Sequence, residues 1–189
     1  MSAVDAERAF AADAQKIGQW SAFRKWAAED ATMFAPQPVK AQAYLKDKKD
    51  PAKALEWWPT ASYVSCDGSL AVNTGGWKAP GGAVGYFSTV WQRQKDGGWK
   101  WIVDGGDDLK VARRRALKVS RASCEGKAEI DMGGFVLRGD GSDDFGHAED
   151  QSLLYRWTVE KDGSRSFFAS AWTGRRWQVV IDNRIAPPK

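Results

Sequence analysis

The sequence predicts an α+β fold, with helices first and an antiparallel sheet after them for the helices to pack on. Two observations carry this. Apolar residues recur at three- and four-residue steps near the N-terminus, and the stretch Gly85 to Asp104, GYFSTVWQRQKDGGWKWIVD, alternates with period two about Asp96-Gly97-Gly98. The tail repeats the strand-and-turn style, TVEKDGSRSFFASAW beside STVWQRQKDGGWKW. Unrelated hairpins converge on such turns, so no duplication is inferred.

From Val4 to Ala28, the residues Phe10, Ala14, Ile17, Trp20, Phe23 and Trp26 mark an apolar helical stripe, with Gly18 breaking it into two helices. Asp30 to Pro36 reads as a turn into a short extended piece. A helix is expected over Ala41 to Leu45, and another from Asp50-Pro51 through Leu55, where proline suits the first turn. After Trp57-Trp58-Pro59 the period becomes two. Strands are expected over Ser62 to Cys66 and Leu70 to Trp77, followed by the hairpin, which together make a four-strand antiparallel meander. A composition shift over Asp107 to Ser123 sets the expected boundaries: a domain over 1–107, a basic linker over 108–125 and a β-rich extension over 126–189. In the extension, Phe135 to Arg138, Leu153 to Glu160, Phe167 to Trp172 and Trp177 to Ile181 read as strands.

Bulk composition narrows the function classes. A 43% hydrophobic and 28% charged chain is ordinary for a globular protein, but eleven tryptophans are not, so several are expected as packing anchors or cavity walls. No apolar run reaches membrane-span length. MSAVDAERAF has no basic-then-apolar leader, so the chain reads as cytoplasmic as written, or exported if a leader has been removed. Cys66 and Cys124 are either a disulfide or two buried thiols, and they are too few for a cysteine-only zinc site. The net charge of +4 concentrates in Lys110, Arg113, Arg114, Arg115, Lys118 and Arg121. No aromatics interleave with them, so the cluster reads as a solvated linker and nucleic acid is set aside.

Residues 1–107 resemble the NTF2-like superfamily, specifically its SnoaL-like and DUF4440-type members. The resemblance rests on Trp26-Ala27-Ala28-Glu29-Asp30-Ala31-Thr32, on Asp67-Gly68 followed by Thr74-Gly75, and on Gly85-Tyr86-Phe87 through Trp91 and Arg93 to Asp96-Gly97-Gly98-Trp99. It implies a cone of curved sheet on helices around an apolar pocket, commonly a homodimer through the sheet, and does not reach the tail. The ketosteroid isomerases of that fold use a carboxylate base, a tyrosine and a protonated acid. The corresponding positions here fall on Ala35, about Ala11 and about Thr89, so that chemistry is not inherited.

Asp104 is the candidate catalytic group: turned inward with Ile102, it would be desolvated and able to act as a general base. The alternative is that it caps the hairpin end or pairs with Arg93 opposite. Candidate ligand-lining residues are Trp20, Phe23, Tyr44, Trp58, Phe87, Trp91 and Ile102, with Tyr86 as a further mouth residue and Trp57-Trp58 as a lid or rim. His147 lies among carboxylates, but its spacing fits no metal motif, and no phosphate loop or dinucleotide fingerprint is present. No metal or cofactor is expected. The readings are a small-molecule-binding protein with an apolar or aromatic ligand, a cofactor-free lyase or isomerase using Asp104, and a non-catalytic interaction module. A hollow core favours the first and a filled one the last.

Overall fold

The computed structural model describes residues 1–126, 128–130 and 137–188. Two helices lead the chain and a third follows two strands. Helix α1 (Ala3–Ile17) starts at a reciprocal cap in which Ser2 Oγ accepts from the Asp5 backbone and the Asp5 carboxylate accepts from Ser2 N. Helix α2 (Gln19–Trp26) follows Gly18, whose φ of 102° and close approach to Asp50 both require glycine; a Cβ there would lie 2.2 Å from the Asp50 carboxyl carbon. Helix α3 (Ala41–Leu45) forms where expected. Ile17, read as part of the apolar stripe, is instead 44% exposed at the end of α1.

The helix expected from Asp50 to Leu55 does not form. Its polar groups are engaged elsewhere: the Asp50 carboxylate accepts from Ser21 N and Oγ near the start of α2, Leu55 N donates to Gln19, and Leu55 O accepts from Gln15. Tertiary partners outbid the local preference of one short turn.

Strands β1 (Ala27–Phe34), β2 (Pro38–Lys40), β3 (Glu56–Val64), β4 (Leu70–Lys78), β5 (Val84–Arg93), β6 (Trp99–Leu109) and β7 (Lys118–Arg121) form one sheet, in the order β2-β1-β6-β5-β4-β3-β7. Strands β3 to β6 are the expected meander, and the chain is α+β. The parallel pairing of β1 with β6 was not foreseen. Strand β3 begins at Glu56, six residues before the expected start, because Trp57 and Trp58 are both buried strand residues. Strands β8 (Asp143–His147), β9 (Leu153–Val159), β10 (Arg165–Trp172) and β11 (Trp177–Ile185) form a separate antiparallel sheet, in the order β11-β10-β9-β8. Of the strand expected over Phe135 to Arg138, Phe135 and Val136 lie outside the described residues, while Leu137 and Arg138 are not in a strand.

By packing, the chain divides into two units. The first comprises Met1–Phe34, Val39–Ser62 and Val72–Val119; the second comprises Ala35–Pro38, Tyr63–Ala71 and Ser120–Lys189. The first unit is built on an aromatic core. Phe10 of α1 meets the rings of Phe23 and Trp57 edge-on at 4.8 Å each, and Phe23 of α2 meets Trp101 at 6.0 Å, so both helices lie on the sheet face that carries these indoles. Two arginines of the basic cluster are engaged here. Arg113 lies over Tyr86 and donates to Thr74 Oγ1, and Arg115 lies over Trp58 and pairs with Glu56.

In the second unit Cys66 and Cys124 are bridged, with Cα atoms 5.2 Å apart, which settles the pairing that sequence left open. Arg121 donates to Ser65 O and Cys66 O beside the bridge. Leu153, Tyr155, Trp157 and Val159 of β9 are buried together with Phe167, Ala169 and Ile181, and Arg156 reaches across to Asp143 at 2.9 Å. His147, expected in a solvated loop, ends a strand, and its Nδ1 lies 2.7 Å from Ala148 O.

Candidate functional site

The site begins with a fault in strand pairing. Thr89, Val90 and Trp91 of β5 face Asp104, Val103 and Trp101 of β6, so Ile102 is an extra residue in β6. In a regular strand Trp101 and Asp104, three positions apart, would point to opposite faces of the sheet. Thr89 and Trp91, two apart, share one face, and the bulge at Ile102 brings their partners Asp104 and Trp101 onto that same face. Asp104 therefore turns toward the helices because Ile102 interrupts the alternation, which differs from the expectation that the two turn inward together. Arg93 faces Trp99, not Asp104, so the expected alternative ion pair is absent.

On that face the first unit holds a cavity of about 330 Å³, lined by Trp20, Phe23, Phe34, Trp57, Trp77, Tyr86 and Phe87, with Glu7, Asp104, Asp107 and Asp108 among the remaining lining residues. Gly105 keeps the wall open, since a Cβ there would lie 2.8 Å from the Phe34 ring. A larger hollow of about 480 Å³ between Gln15, Lys53, Glu56 and Lys78 is edged by exposed chains and holds no buried acid, so the smaller one is the candidate.

Two carboxyls give the cavity its chemistry. Asp104 Oδ2 accepts from Thr89 Oγ1 at 2.6 Å, and among the described residues this is its only hydrogen bond. Burial pushes the Asp104 carboxyl up to about 7, with the Thr89 hydrogen bond opposing the shift. The group touches the hollow, yet protein surrounds it closely enough to strip it of bulk water.

Glu7, fully buried, is part of the same wall. Its carboxylate accepts from Trp91 Nε1 at 2.7 Å, Trp57 Nε1 at 3.0 Å and Asn73 Nδ2 at 3.4 Å. Burial lifts it to about 7; the hydrogen bonds oppose this, and the neighbouring Asp104 charge reinforces it. Two acids poised near neutrality and facing one another electrostatically can hold, release or pass a proton.

The expected lining residues part company. Trp20, Phe23 and Phe87 line the cavity. Trp91 is fully buried and serves instead as a hydrogen-bond donor to Glu7. Trp58, expected at a lid or rim, is buried beneath Arg115 and does not line the cavity, whereas its neighbour Trp57 does. Tyr44 stands 36% exposed with Lys48 against its ring. Ile102 occupies the bulge and does not line the hollow.

Sequence reasoning missed Glu7. The signal was an acid on an apolar helical stripe, in step with Ala3, Phe10 and Ala14, where a charged residue has no place unless buried donors await it. Among the described residues no group of histidine, cysteine and carboxylates is arranged to hold a metal, and no helix is long and apolar enough to cross a membrane.

No family model and no curated protein matches the chain. Among solved structures, it is similar to a candidate ketosteroid isomerase from Parabacteroides distasonis, with 18% identity and a TM-score of 0.45, over 54% of this chain and 84% of that one. A candidate ketosteroid isomerase from Shewanella frigidimarina matches with 16% identity and a TM-score of 0.41, over 55% and 92%. The CaMKII hub of S. rosetta matches with 17% identity and a TM-score of 0.41, over 58% and 98%. At such identity a shared chain path says nothing of chemistry, which rests on the residues of the site.

Proposed function

We propose that the first unit is a small-molecule-binding domain of the NTF2-like kind, of the SnoaL-like or DUF4440 type, whose cavity takes an apolar or aromatic molecule. The observation that carries this reading is the hollow itself. About 330 Å³ walled by eight aromatic residues falls in the range of ligand sites, and a module built only for protein contact has no use for an unfilled core. Residues 1–107 are the binding domain in this reading, 126–189 an appended β extension, and the sheet a surface for homodimers.

The test is binding of a neutral fluorophore, N-phenyl-1-naphthylamine, followed by energy transfer from Trp20, Trp57 and Trp77 in the wall. Saturable one-to-one transfer is expected, and the cavity-filling Leu55→Trp variant should lose it. Non-saturable transfer, or an unchanged isotherm in the filled variant, removes the cavity as a binding site.

A second reading has its own observation. A desolvated Asp104 carboxyl held near 7 at the wall suits proton abstraction next to a carbonyl, with Thr89 fixing its orientation. Asp104→Asn should then abolish cofactor-free isomerisation or elimination while leaving fluorophore binding intact. Turnover that survives the substitution excludes Asp104 from any mechanism.

A further inference from the structure

We infer that the ligand of this cavity is an organic cation, an ammonium group carried on an apolar or aromatic body. The inference rests on the proposed reading of the cavity as a ligand site and specifies the chemistry of its guest. Four carboxylates line the hollow, Glu7, Asp104, Asp107 and Asp108, and not one lysine, arginine or histidine does. None of the four enters an ion pair among the described residues.

Two cations lie against lining rings without lining the hollow themselves: Lys48 Nζ is 5.1 Å from the Trp20 ring centroid, and Arg113 lies 4.9 Å from that of Tyr86. Every charged residue of the lining is thus acidic, and the remainder is largely aromatic. Asp104 has one oxygen taken by Thr89 and, among the described residues, one oxygen with no donor. An N–H of an ammonium satisfies that oxygen, while the aromatic walls attract the same charge through their faces.

An anionic guest would be repelled by ionised Asp104 and its neighbours in a poorly screened space, and a neutral one offers that ionised group no opposing charge. Glu7 lines the hollow as well, but its oxygens are held by Trp91, Trp57 and Asn73. When ionised it adds negative potential without competing for the guest.

Three probes of one shape separate the possibilities by calorimetry at pH 7 and low salt: 2-naphthylmethylammonium, 2-naphthylmethanol and 2-naphthoate. The ammonium is expected to bind at least about tenfold tighter than the alcohol, with naphthoate weakest. Asp104→Asn should bring ammonium and alcohol to within about threefold of each other, chiefly by weakening the ammonium. Alcohol or naphthoate binding as tightly as the ammonium to the unaltered protein overturns the cation assignment and leaves the cavity as a neutral-ligand site. A preference that persists in Asp104→Asn supports the cationic guest but overturns Asp104 as its partner, because the charge being read then lies on another lining acid. If none of the three probes binds, both this inference and the underlying reading of the cavity fall.

Discussion

The cavity wall of the first unit and the polar turns of the second treat their carboxyls in opposite ways. In the first, Glu7 and Asp104 are lifted to about 7, mainly by burial. In the second, Asp140 and Asp162 are held below the usual carboxylate range by hydrogen bonds from Ser142 and Ser164. Asp67 shows the two forces in one residue: burial pushes it up, and hydrogen bonds from Ser65, Ser69 and Asp150 outweigh that and hold it down. A carboxylate ringed by short polar donors at a turn is a structural fastener. One set among indoles, with few donors, is a group whose charge is unsettled at neutral pH, and such groups gather at working sites.

The largest expected effect falls on the second unit, whose fastening is partly covalent. The Cys66–Cys124 bridge spans a sequence separation of 58, for which loop-closure arguments give about 4 kcal/mol of stabilisation. Cys66→Ala with Cys124→Ala should lower the stability of the second unit by about that amount in denaturant melts, while fluorophore binding by the first unit persists. Simultaneous loss of binding at native conditions would mean that the two units do not differ in the way described.

Next in size is the pH dependence of the first unit. Folded Glu7 keeps its proton up to about 7, whereas the unfolded chain releases it near the ordinary value of 4.5. Between those values the folded state binds more protons, so stability is full below the lower one and falls as pH rises through the upper. Glu7→Gln, which mimics the protonated form, should match the unaltered protein at pH 4 and exceed it at pH 8.5 by about 3 kcal/mol. Parallel stability curves for the two proteins across that window would show that Glu7 ionises normally.

A smaller change sharpens the role of Thr89. Thr89→Val removes the hydroxyl that donates to Asp104 and should cost about 1–2 kcal/mol. Because that bond lowers the Asp104 pKa, its loss should also move the carboxyl titration upward, as read by infrared absorption of the protonated acid. A downward shift would assign the raised value to something other than burial.

Much of the frame was legible because it is written locally. The periodic stripe of α1 and α2 and the strand pattern on either side of Asp96-Gly97-Gly98 depend on near neighbours, and both formed at their expected places. The short helix after Pro51 failed because its donors and acceptors found distant partners, and β8 went unseen because a polar run such as Asp143 to His147 becomes a strand only when β9 is there to pair with it.

What the sequence alone determined is the class of the fold, the hairpin, and the presence of an aspartate on a strand otherwise built for burial, since these follow from backbone periods and turn chemistry within a few residues. Which way that aspartate faces was decided by tertiary structure: one added residue at Ile102 reverses the alternation, and its position is set by pairing with β5. Tertiary structure likewise brought Glu7 of α1 to Trp57 and Trp91, and Cys66 to Cys124, because an acid tolerates burial and a thiol finds its partner only where distant parts of the chain deliver the donors and the second sulfur.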